Sequence, residues 1–337
     1  MSASVVVFRG VSKAYGDFRA VEDLSFAVAP GTIYGFLGPN GAGKTTSLRM
    51  MLGIIRPSAG EIEVLGSDSA MGVRERVGYL PEERGLYRRM TPVETIVYLA
   101  RLKGMAAAAA RKRALELLER FGLAAFAHTR IEALSKGMAQ KVQILATVVH
   151  APELVILDEP FSGLDPVNQQ VLEDLIVDLH REGRTVLFST HVMQHAERLC
   201  DRLLLIARGR LAFEGTLAEA RARLPRTIRL KTRSEAAALA ALPGVAEVIA
   251  DAAAGEFELR LAAGADGEGV LRACFERGLA LAEGEGAREG GAQVDAPGSL
   301  GNRVDRAVGV GLLLVGRGVD EAVPQRERGD DRLGALR

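Results

Sequence analysis

Apolar positions near the start of the chain fall into short alternating runs: Val5 and Val7, then Val21, Leu24, Phe26 and Val28. This period of two predicts strands with one buried face. Residues 32–37 are a nearly continuous apolar run ending in a glycine-rich turn, the pattern of a strand buried on both faces. The spacing then predicts a helix over 45–52, a turn over 57–60 and a strand over 61–65. Residues 93–121 read as helical, with the alanine-rich stretch 106–110 at a junction between helices, and helical spacing returns over 136–150. Further buried strands are expected over 154–157 and 185–189, with helices over 169–182 and 192–200. Buried strands alternating with helices argue for an α/β core around a largely parallel sheet.

Alanine and arginine accumulate near 218–225, and a domain boundary is placed there. Beyond it strands are expected at 227–232, 245–249 and 257–261, helices at 234–242 and 268–277, and a further strand beginning at 279–281. A β-α-β-β-α-β order of this kind reads as a small split sandwich. The expected division is 1–217, a small α+β domain over 226–283, and a tail over 284–337. Of 38 glycines, 12 fall after Leu281, and from there the chain has no Lys, Phe, Tyr, Ile, Thr, Met, His or Cys. That composition builds no core, so the tail is expected to be disordered or to arise from a shifted reading frame near Leu281.

Composition narrows the function classes. A length of 337 residues suits one large domain and a lesser one. Lys plus Arg and Asp plus Glu balance at 43 each, so no positive field draws the chain to nucleic acid, and none is expected as a partner. The two cysteines, Cys200 and Cys274, exclude a disulfide framework and suit a reducing compartment. No segment has the roughly 20 apolar residues of a membrane span, and residues 1–10 lack the pattern of a signal peptide. Any membrane role is therefore expected to run through a partner.

Two motifs carry chemistry. Gly38-Pro39-Asn40-Gly41-Ala42-Gly43-Lys44-Thr45, with Thr46 following, joins a strand to a helix in the pattern of a phosphate-binding loop. Its glycines let backbone N–H groups turn inward as an anion nest, and the helix adds the positive end of its dipole. Lys44 supplies a point charge for the β and γ phosphates, and Thr45 a hydroxyl for Mg²⁺. The second motif, Leu154-Val155-Ile156-Leu157-Asp158-Glu159, sets two carboxylates at the end of a buried strand. Asp158 is placed to hold Mg²⁺, and Glu159 to polarise a water for in-line attack on phosphorus.

Leu134-Ser135-Lys136-Gly137-Met138, directly before a helix, resembles the signature sequence of ATP-binding cassette (ABC) proteins. Ser135, the amide of Gly137, and Met138 would then form a second phosphate site, which makes sense only if it completes the site of another subunit. The resemblance spans residues 1 to about 217. It implies a P-loop NTPase of the ABC type, with a mixed sheet and a helical subdomain, using ATP and Mg²⁺. Tyr15 matches the family's adenine-stacking aromatic, Asp165 in Ser162-Gly163-Leu164-Asp165 its D-loop, and His191 its switch histidine at the γ-phosphate. Two departures stand out. Glu82 replaces the usual Mg²⁺-binding glutamine, and Lys136 and Met138 replace a glycine and a glutamine of the signature. With the run over 81–87, these changes resemble the sodium-exporter-like (NatA-type) branch, whose members also carry a small C-terminal domain.

The function so implied is ATP hydrolysis by a dimeric subunit, paired with itself or a homologous ATPase subunit. It would sit on the cytoplasmic face of the membrane and power a separate integral-membrane permease, with export favoured. A soluble non-transport ABC ATPase and a nucleotide-dependent regulator are the alternatives. Leu86, Tyr87, Met90 and Val93, beside Glu82, read equally as permease contacts or as internal packing.

Overall fold

The computed structural model describes residues 4–283 except Arg84, 224–226, Arg233, 252–255, Ala263 and Ala280. The segment 284–337, with the frame-shift reading attached to it, lies outside the described residues.

Strand β1 (Val6–Tyr15) and β2 (Phe18–Val28) pair antiparallel around Gly16. Both run longer than the alternation predicts, because register shifts between Phe8 and Ala14 break the period of two. Next, β3 (Ile33–Leu37), buried at every position, feeds α1 (Lys44–Met51), and β4 (Ala59–Val64) returns to the other edge of β1. A short strand, β5 (Val77–Leu80), went unread in the sequence because it has four residues and a glycine. Gly78 is required there, since a Cβ would lie 2.5 Å from the carbonyl oxygen of Thr147.

Three helices follow: α2 (Pro92–Leu102), α3 (Ala107–Arg120) and α4 (Lys136–Val148). Thr91 and Glu94 close a capping box on α2 with Pro92 at its first position, which fixes where that helix starts. Ile96, Leu117, Leu118, Val142 and Leu145 join the three helices in one apolar cluster. Val93, 1 % exposed, belongs to it, and Leu86 packs against it. Of the four residues with an open role, Val93 is thus internal packing, whereas Tyr87 is exposed with its ring edge-on to that of Tyr98.

The chain continues through β6 (Leu154–Leu157), α5 (Pro166–Arg181), β7 (Thr185–Thr190), α6 (Met193–Leu199), β8 (Arg202–Ala207), β9 (Arg210–Gly215) and α7 (Leu217–Ala222). The central sheet has the order β5-β6-β7-β3-β8-β9, with every neighbouring pair parallel except β8 and β9. It is therefore the mixed sheet expected of the fold. Helix α5 starts three residues before its apolar periodicity, because Asp165 caps it and Pro166 pre-sets the first turn.

The last elements are β10 (Thr227–Thr232), α8 (Ala236–Ala240), β11 (Val245–Asp251), β12 (Glu256–Leu261), α9 (Gly267–Glu276) and β13 (Leu281–Glu283). Their antiparallel sheet has the order β11-β12-β10-β13 over a core of Ile228, Leu230, Leu239, Leu259, Val270 and Cys274. Among the described residues, no helix is long and apolar enough to cross a membrane.

Candidate functional site

Sheet register assembles the site. Strands β6, β7 and β3 are adjacent and parallel, with Leu157 opposite Phe188 and Thr190 opposite Leu37. Their C-terminal ends therefore deliver Asp158 and Glu159, Ser189 to His191, and Gly38 onward to one edge of the sheet, where open α/β folds bind ligands.

The loop from Gly38 to Thr45 wraps the start of α1. Gly43 sits at φ +104°, and a Cβ there would meet the carbonyl oxygen of Ala20 at 2.6 Å, so only glycine fits. At Gly38 a Cβ would fall 2.3 Å from the Ile206 carbonyl oxygen. Lys44 is 6 % exposed. Its Nζ donates to the carbonyl oxygens of Gly38 at 2.7 Å and Pro39 at 3.3 Å, and lies 3.3 Å from Glu159 Oε1. The ammonium is thus held inside the loop, and the pair Lys44–Glu159 balances two buried charges. Pro39, Asn40 and Gly41 line the exposed outer turn of the loop, Ala42 is buried, and Thr46 sits half-buried beside Thr45 on α1.

Asp158 is 1 % exposed, and its Oδ1 accepts from Thr45 Oγ1 at 3.2 Å and Ser189 Oγ at 2.6 Å. Burial raises its pKa, opposed by the Ser189 and Thr45 hydroxyls, while the Glu159 carboxylate adds to the rise. Its Oδ2 is buried with no hydrogen-bond partner. An orphaned carboxylate oxygen beside a threonine hydroxyl fits a hard cation such as Mg²⁺, which prefers oxygen ligands and keeps several waters. Glu82 stands exposed just past the end of β5, outside the Thr45–Asp158–Ser189 cluster.

Glu159 has φ +45°, a left-handed conformation that costs a non-glycine residue about 1–2 kcal/mol. Ser189 Oγ accepts from its amide at 2.9 Å, so one hydroxyl fixes both acidic residues. His191 Nδ1 lies 3.0 Å from Glu159 Oε2, while about half of the imidazole faces solvent. Ser189 had no role in the sequence reading. Its only signal was a hydroxyl near the end of a largely apolar strand, one position past Phe188, which pairs with Leu157 and so puts Ser189 level with Asp158 once β6 and β7 are paired.

The remaining candidates lie apart from this cluster. Tyr15 is half-exposed, with Lys13 Nζ 5.1 Å from the centre of its ring. Ser135 caps α4, its Oγ accepting from the amide of Met138 at 3.2 Å, and Met138's side chain packs on the helical cluster. A Cβ on Gly137 would approach Asn168 Nδ2 to 2.8 Å. That Asn168 amide donates to Asp165 Oδ2 at 2.6 Å within the cap of α5, and the signature turn lies close against this cap at Gly137. The Asn168 hydrogen bonds hold the Asp165 carboxyl below the usual carboxylate range.

Comparison with known proteins matches this arrangement to one group. The family model described as ABC transporter matches residues 21–162. An uncharacterised ABC transporter ATP-binding protein of Bacillus subtilis, YhaQ, is 44% identical over 209 residues, covering 62% of this chain and 70% of its own. The Nod factor export ATP-binding protein I of Burkholderia orbicola is 42% identical, covering 64% and 72%. The B. subtilis ABC transporter ATP-binding protein NatA is 39% identical, covering 59% and 82%. Among solved structures, an ATP-binding subunit of an ABC transporter superposes with a TM-score of 0.61 at 32% identity, covering 65% of this chain and 93% of that one.

Proposed function

The chain belongs to the ABC transporter family of ATP-binding subunits, which bind and hydrolyse ATP, and from that premise we propose which residues do the chemistry and what they drive. The reading rests on one observation: Lys44, Thr45, Asp158, Glu159, Ser189 and His191 meet at the ends of three adjacent parallel strands. Lys44 and the loop amides from Gly38 to Thr46 hold the β and γ phosphates, and Tyr15 offers its exposed face to the base. Thr45 Oγ1 and Asp158 Oδ2 would hold Mg²⁺, with Glu82 as a further oxygen donor. The ion, when bound, neutralises charge on the phosphate oxygens.

Glu159 takes the proton of the attacking water as its oxygen bonds to the γ-phosphorus and the bond to the bridging oxygen breaks. A proton on His191 Nδ1 donates to Glu159 Oε2, which leaves Oε1 to act as base once phosphate draws Lys44 away. The second half of each site comes from another copy, or from a homologous subunit, through Ser135, Gly137 and the Met138 amide, with Asp165 at the same interface. Residues 1–217 form this ATPase and 226–283 a separate small domain.

The subunit powers an integral-membrane permease and sits at the cytoplasmic face of the membrane through it. Exposed Tyr87 and Tyr98, whose rings meet edge-on, suit the permease's cytoplasmic segment. Export is favoured, in keeping with the Nod factor export relative. One variant tests the scheme. Glu159→Gln should bind MgATP, fall to less than about a hundredth of wild-type turnover and elute as a dimer with ATP. From native membranes the trapped form should co-isolate with a polytopic membrane protein. A monomeric variant with full ATPase activity overturns the assignment.

A further inference from the structure

The left-handed backbone at Glu159 persists only because its surroundings impose it. Four contacts do so. Ser189 Oγ takes the Glu159 amide, and the Ser162 amide donates back to the Glu159 carbonyl at 3.1 Å. Gln140 Nε2, from α4, donates to the Pro160 carbonyl at 2.9 Å. The fourth is Phe161, whose ring meets Phe188 of β7 edge-on at 5.8 Å and lies flat on the imidazole of His195, at 3.9 Å between centroids and 9° between planes.

His195 lies four residues beyond His191, on α6, and is only 5 % exposed. Its Nδ1 lies 3.2 Å from Oε1 of Glu173 on α5, itself 6 % exposed. Arg198 reaches the same oxygen at 2.6 Å and the same ring nitrogen at 3.2 Å. Burial lowers the His195 pKa and Arg198 adds to the fall, while Glu173 and, more weakly, Glu159 oppose it. A neutral imidazole can donate Nδ1–H to Glu173 and keep its face on Phe161, and Arg198 then holds the ring indirectly, through its ion pair with the Glu173 carboxylate. Neither the phosphate loop nor the Thr45–Asp158 contact involves this cluster.

We propose that His195 is a positioning residue for ATP hydrolysis: anchored by Glu173 and Arg198, its ring backs Phe161 and so holds the turn that aims the Glu159 carboxylate. The same short helix thus follows the histidine that touches Glu159 and carries the one that braces its backbone. This role rests on the reading of Glu159 as the base.

Steady-state MgATP hydrolysis by the full chain tests it with three variants. His195→Ala should lower kcat about tenfold to a hundredfold, the effect of displacing a reacting group by up to about an ångström, with KM for ATP within about twofold. His195→Phe keeps the flat ring without a titratable nitrogen and should recover most of the lost kcat. Glu159→Gln should be inactive. If it is inactive while His195→Ala turns over at the wild-type rate, the positioning role is overturned and the base stands. If Glu159→Gln is itself active, both fall. A Phe variant as slow as the Ala variant, or an Ala variant losing kcat and KM together in proportion to its folded fraction, also overturns the role, because a merely structural histidine behaves that way.

Discussion

The hydroxyl of Ser189 donates to Asp158 and accepts from the amide of Glu159, inside a strand end with no exposure to solvent. Replacing it with alanine leaves a buried N–H without its acceptor and removes one of the two donors on Asp158 Oδ1. Ser189→Ala is therefore expected to lose about 1–3 kcal/mol of unfolding free energy in a urea titration. Turnover should fall as well, since the backbone of the base loses a fixed point, and an unchanged midpoint with unchanged turnover would contradict the geometry. The phosphate loop and the pair Asp158-Glu159 were legible in the sequence because each needs particular residue types at a local spacing. Ser189 and His195 were not. A serine closing an apolar strand and a histidine on a short helix acquire meaning only through register and packing, when β7 lies against β6 and Phe161 turns under α6.

At the scale of elements, the junction of α2, α4, β5 and β6 ties the helical cluster to the sheet through shared carbonyls. Lys103, closing α2, donates to the carbonyl oxygens of Arg74 at 2.7 Å and Val77 at 2.9 Å. His150, after α4, places Nε2 3.3 Å from the same Val77 oxygen, so that nitrogen carries the proton and Nδ1 is left buried without a partner. Burial, with the Lys103 ammonium adding to it, pushes the His150 pKa down to about 4 from 6.5. Between those values the unfolded chain binds a proton that the folded chain refuses. Stability from the neutral ring is complete above about pH 6.5 and is lost as pH falls toward 4. After allowing for partial solvent screening, the loss is about 1–2 kcal/mol. Unfolding free energies of wild type and His150→Gln, measured from pH 7.5 to 4.5, should show wild type losing that much more than the variant. Parallel curves would rule the ring out as the cause. No periodicity in the sequence marked this junction, because Lys103 and His150 lie 47 positions apart and meet only through β5.

Over the whole molecule, the order of elements from 227 to 283 was readable because each strand alternates and each helix has its own apolar spacing, while the pairing β11-β12-β10-β13 was not, since it depends on contacts between distant strands. The longer part yielded its family through local motifs and its mixed sheet through topology. Among the described residues, the cluster of Ile228, Leu230, Leu239, Leu259, Val270 and Cys274 is distinct from the clusters that contain the site, which supports the proposed division into two parts. Among the described residues, the last apolar contribution to the longer part is Ala220, in the cluster with Leu37 and Phe213, and Arg223 lies over the Phe213 ring at 4.9 Å. A fragment ending at Arg223 thus keeps every described group that touches Lys44, Asp158 or Glu159. It is expected to unfold in one cooperative thermal transition and to bind ATP within about twofold of the full chain, as separable domains do. The full chain should add a second calorimetric transition from the smaller core. A fragment that fails to fold, or a full chain melting in a single transition that the fragment lacks, would mean that the smaller part is needed to complete the larger one, and the division at 217–226 would have to be abandoned.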